Sequence, residues 1–91
     1  MPIELLSQQL ALRLRIRARI EARMLPVIVP DEVGAGYGAG ALCVACDLPI
    51  TSTQIEYEIE DTQIGRSLRF HLNCYAVWQV ACTQTRLGGV D

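Results

Sequence analysis

Two short pairs of donor residues, Cys43-Val-Ala-Cys46 and His71-Leu-Asn-Cys74, are separated by 24 residues and constrain this chain more than anything else in it. Each pair sets two side chains on one tight turn, so each builds half of a four-coordinate sphere locally. Joining the halves then requires the closure of one modest loop, whose entropy cost rises slowly with length. Three thiolates and one imidazole at this spacing match a structural zinc site. The candidate ligands are therefore Cys43, Cys46, His71 and Cys74, around one Zn²⁺.

A chain of 91 residues makes one small domain, in a size range where a bound metal often supplements the core. Zinc held in this way contributes on the order of 10 kcal/mol to folding. Hydrophobic residues make up 51% of the chain and charged ones 20%, which argues for a folded polypeptide. The formal charge of −2 becomes −3 once three thiolates and a divalent ion are counted, so bulk charge does not favour nucleic acid. Met1-Pro2-Ile3-Glu4 lacks the basic start of a secretory signal, and no apolar run is long enough to span a bilayer. Cysteines in such a chain suit a metal in a reducing cytoplasm better than disulfides.

The chain reads as three segments of one α+β domain. Residues 1–26 hold an Arg-rich helix, expected over 2–25 and stopped by Pro26. Pro2 and Glu4 suit its first turn. Against this, Leu12 to Ile20 alternates apolar and Arg or Ala, a pattern that in isolation reads as a strand. Helix is preferred on propensity and length, with apolar residues spread widely around it. Residues 27–42 form a Pro/Gly-rich linker. Its Gly34-Ala-Gly-Tyr-Gly-Ala-Gly40 run is expected to break regular structure, as a hinge or a close backbone pass over the metal turn. A phosphate-cradling loop would need a buried strand before it and a helix after it, and the sequence offers neither.

Residues 43–91 form the metal module. Ile55 to Glu60 alternates apolar and acidic residues, Asp61 to Gly65 offers a turn, and Ser67 to Phe70 gives a second strand. A second helix opens at His71, places Cys74, Trp78, Ala81 and Cys82 on one side, and ends at Gly88-Gly89 with Arg86 in its last turn. Trp78 is expected to pack on the knuckle or hairpin, and Cys82 to be core.

Knuckle, hairpin and a helix supplying the last two ligands resemble a treble-clef zinc fold. The ligand order is also similar to the first half-site of LIM-type modules. The segments from Cys43 to Ile50, at Glu56-Tyr57-Glu58 and from Phe70 to Trp78 resemble a group of short uncharacterised bacterial proteins. The resemblance covers about half the chain and implies the ligand role for Cys43, Cys46, His71 and Cys74 alone. LIM domains carry a second zinc site in tandem, which nothing after Cys74 could build, so LIM function does not transfer.

Competing chemistries fit less well. A catalytic zinc needs an open position for water, whereas three Cys and one His fill all four, and no second His exists to act as base. Zinc deaminases place a Glu two residues after the His and the Cys pair later in the chain, but here the order is reversed and residue 73 is Asn. A redox Cys-x-x-Cys opens a helix, which Pro49 discourages, and would leave His71 and Cys74 unexplained. The expectation is a non-enzymatic, zinc-stabilised interaction module that docks or self-associates through the N-terminal helix. Arg13, Arg15, Arg17, Arg19 and Arg23 leave a nucleic-acid-binding regulator as the alternative. The opposing reading pairs these Arg with Glu56, Glu58, Glu60 and Asp61, in the same chain or in a second copy.

Overall fold

The ambiguous N-terminal segment is a helix, α1, spanning Ile3–Glu21. The computed structural model describes residues 3–62 and 65–88, with side chains described over 6–62 and 65–85. Each helical residue turns about 100°, so residues two apart point to nearly opposite sides. Alternation over a helix therefore sorts residues into pairs four apart. Ile16 and Ile20 form a buried ridge, Arg15 and Arg19 flank it on one side, and Arg13 and Arg17 flank it on the other.

The helix ends at Glu21, short of the expected residue 25, and Pro26 is not what stops it. Arg23 takes a left-handed conformation with φ of 61°. Its amide bonds to the Ile20 carbonyl at 3.0 Å, and the Met24 amide reaches back to Arg19 at 2.8 Å. Those two bonds satisfy carbonyls that the helix end would otherwise leave unpaired. The chain then turns inward at Leu25, which is buried.

The Gly-rich segment corrects the linker reading. Gly34–Tyr37 is a strand, β1, paired antiparallel with β2, Ile55–Asp61, so that Gly36 lies opposite Glu56. Backbone pairing holds this edge strand although its side chains bury nothing. Strand β2 pairs in turn with β3, Arg66–His71, as the expected hairpin, giving a sheet in the order β1-β2-β3. Beyond β1, Gly38 makes the close backbone pass. A methyl group there would stand 2.3 Å from the Ile50 carbonyl oxygen and 2.4 Å from that of Thr51.

Helix α2, Leu72–Gly88, lies across the sheet. Gly89 and Pro2 fall outside the described residues, as do the side chains of Glu4 and Arg86. Period-two patterning sends Ile59, Leu68 and Phe70 to the face that α2 covers, and all three are buried. Phe70, Tyr75 and Trp78 form one aromatic cluster with centroids 5.1–5.6 Å apart, and Tyr57 meets Tyr75 edge-on at 4.8 Å. Trp78 is fully buried on the hairpin side as expected, and its indole N–H donates to the Pro26 carbonyl at 2.9 Å. That bond ties the turn after α1 to the core. Cys82 is buried beside it. No helix among the described residues is long and apolar enough to cross a membrane.

Candidate metal centre

The first pair of donors sits on a knuckle between Leu42 and Pro49, which bridge as a miniature antiparallel ladder. Inside it the Cys43 amide bonds to the Leu48 carbonyl and the Asp47 amide to the Cys43 carbonyl, both at 2.9 Å. Closing so tight a turn requires a left-handed residue, and Asp47 supplies it with φ of 65°. The Val44 amide bonds to the Arg69 carbonyl at 2.8 Å, fixing the knuckle against β3.

The second pair comes from the junction of strand and helix. His71 is the last residue of β3, opposite Glu56, and Cys74 lies in the first turn of α2. The expectation that the helix supplies both ligands is corrected to this extent. Hydrogen bonding to β2 extends the strand through His71, so its imidazole is positioned by the sheet.

Cys43, Cys46, His71 and Cys74 converge, with their ligand atoms all within 4.8 Å of one another. His71 Nδ1 is 3.4 Å from the Cys46 sulfur and 3.9 Å from that of Cys74. On the other side of the ring, Nε2 stands 3.2 Å from the Pro49 carbonyl oxygen. A proton on Nε2 donates to that carbonyl and leaves Nδ1 unprotonated to face the sulfurs, as a metal-ligating histidine requires. None of the four cysteines is in a disulfide. Among the described residues this is the one group of such donors placed to hold a metal ion.

The electrostatics ask for a cation. The Cys43 thiol is lowered to about 4, first by a hydrogen bond from Cys74 and then, against the cost of burial, by the amides of His71, Cys46 and Ala45. Cys74 is pushed up, first by that same hydrogen bond and then by burial. Cys46 is raised chiefly by burial. A divalent ion replaces the mutual repulsion with attraction and lets all three ionise.

The five candidate Arg do not act together. Arg19 reaches the knuckle, where it donates to the Val44 carbonyl and makes a two-pronged contact with the Asp47 carboxylate, one prong at 3.1 Å. Its guanidinium holds the Asp47 carboxyl below the ordinary range. One turn earlier, Arg15 donates to the Cys46 carbonyl at 3.0 Å. Arg13 and Arg17 are exposed on the other flank, and Arg23 caps the helix. The hairpin acids receive Arg69 instead, which pairs with Glu58 at 2.8 Å and Glu56 at 3.6 Å. Within the chain, Arg15 and Arg19 pair with Asp47, while Glu56 and Glu58 of the hairpin pair with Arg69. Sequence reasoning missed Asp47; its signal was an acidic residue directly after the second Cys, with two Arg four apart elsewhere in the chain. No protein-family model matches this chain, and no curated protein or solved structure matches it either.

Proposed function

We propose that this protein is a non-enzymatic, zinc-stabilised interaction module, with a treble-clef-like unit as scaffold and α1 as the docking element. The observation that carries the reading is the way α1 is mounted. One flank is fastened to the metal knuckle through Arg15 and Arg19, while Leu6, Leu10 and Leu14 on another side are each more than half exposed. A stripe of leucines held rigidly in solvent is a contact surface awaiting a partner.

Zinc is the ion that the donor set favours. Three sulfurs and one imidazole nitrogen are the donor types of tetrahedral structural zinc. Bond lengths for such a site put sulfur and nitrogen about 3.6 Å apart, between the observed 3.4 and 3.9 Å. Four protein ligands leave no position for a water nucleophile, which supports a structural role over a catalytic one. The nucleic-acid alternative is weakened because Arg15 and Arg19 are turned into the knuckle and the chain carries a net negative charge.

A photo-crosslinking residue at Leu10, in zinc-loaded full-length protein mixed with lysate of the source cells, tests the docking role. A discrete adduct competed away by unlabelled protein supports it. Capture no better than from the same probe at exposed Val33 refutes it.

A further inference from the structure

Beside the leucine stripe, α1 and α2 leave a groove of about 340 Å³ between them. Its floor is apolar, formed by Ala76, Val77, Val80 and Ala81 of α2, and Arg13 and Arg17 stand on its α1 side. These two Arg pair with no carboxylate among the described residues. They are four apart, hence one above the other on the helix. Gln9 touches Asn73 near the start of both helices, and residues 13 and 17 meet 76 to 84 further on. The two helices therefore run side by side in the same direction, and the groove between them follows their length.

We infer that this groove takes an acidic amphipathic helix from a different protein. The inference rests on the interaction-module reading and names its partner class. Groove-bound helices present apolar anchors on one face. Here Val77, Val80 and Ala81 receive the apolar stripe, and Arg13 and Arg17 receive two carboxylates spaced four residues apart. Along α2 the lining runs from Ala76 to Gln84, about 12 Å or two helical turns.

Charge decides against a second copy of this chain. A twofold axis near the middle of the pair would set Arg13 against the Arg17 of the second copy. Helix α2 contains no Asp or Glu, and Glu21 is the sole acidic side chain described on α1. The acidic strand β2 is a poor donor of carboxylates, since Glu56 and Glu58 hold Arg69 and Glu60 accepts from Ser67. Among the described residues, then, no helix offers two carboxylates to the groove; Asp31 and Glu32 are exposed but lie in the loop before β1.

The test uses two labelled synthetic peptides, 18 residues each, sharing one leucine stripe and carrying either Glu or Lys at paired positions four apart. Fluorescence anisotropy is read against the zinc-loaded full-length protein. The Glu peptide should bind about tenfold more tightly than the Lys peptide, within the range two surface ion pairs provide together, and binding should weaken with salt. Arg13→Glu/Arg17→Glu should remove that preference, Arg13→Gln/Arg17→Gln should reduce it if the reversal disturbs folding, and Arg66→Glu outside the groove should not change it. Equal binding of both peptides, binding of neither, or indifference to the Gln variant overturns the inference. A Leu10 crosslink that survives Arg13→Glu/Arg17→Glu would preserve the interaction module while refuting the acidic helix.

Discussion

Arg19 is the residue through which α1 is fastened to the knuckle, and its replacement tests whether the helix is part of the metal unit or an appendage. In Arg19→Met the aliphatic stem is kept, so packing along the helix changes little. What disappears is the charge-assisted bond to the Val44 carbonyl and the fork onto Asp47. Hydrogen bonds to charged groups contribute about 1.5–3 kcal/mol each. The Arg19 side chain is only 18% exposed, so the carbonyl bond falls within that range. Asp47, whose side chain is 59% exposed, rehydrates, and its ion pair adds little more. The expected loss is about 2 kcal/mol in urea unfolding followed by far-UV circular dichroism at fixed free zinc. On the proposed zinc-stabilised reading, metal binding and folding are linked, so a chelator should also extract the ion more easily, by up to about 30-fold in affinity. Arg17→Met, which breaks no ion pair, should change stability by less than about 0.5 kcal/mol. Equal effects of the two replacements would refute the view that α1 and the knuckle are one mechanical unit.

Three further replacements probe other parts of the argument. Arg23→Gly should stabilise the protein by about 1 kcal/mol, because glycine adopts the left-handed cap without the steric cost that Arg bears; a lower melting temperature would contradict the cap. Gly38→Ala should destabilise by roughly 1–3 kcal/mol through the clash with the Ile50 and Thr51 carbonyls, measured by the same urea titration, and a neutral result would show that the pass is not tight. Trp78→Phe should cost about 2–3 kcal/mol, since it opens a void in the aromatic cluster and removes the donor to the Pro26 carbonyl; unchanged thermal stability would argue against that tie.

How much of this was legible beforehand follows from the range of the interactions involved. The convergence of the four donors was legible because each pair is local, and the hairpin because Ile55 to Glu60 carries its period openly. Strand β1 was hidden because Gly34-Ala-Gly-Tyr37 has little strand propensity beyond Tyr37 and owes its conformation to pairing with β2. The end of α1 was hidden because an Arg fills a position where glycine is the usual signal. The role of the alternating Arg was half legible. Helical geometry places 15 with 19 and 13 with 17, but only the folded chain brings the Asp47 knuckle to one of those pairs. His71 on the strand instead of the helix is a shift of one residue, at a junction where the sheet's hydrogen bonds outlast the helical pattern.

The central claim is that one ion clamps the knuckle to the strand–helix junction and that the fold depends on it. The most direct measurement is metal content by mass spectrometry on protein purified under reducing conditions, joined to X-ray absorption at the zinc edge. The account predicts one zinc per chain with three sulfur neighbours at about 2.3 Å and one nitrogen at about 2.0 Å. Protein that is folded and metal-free, or zinc bound with a different ligand set, would contradict it.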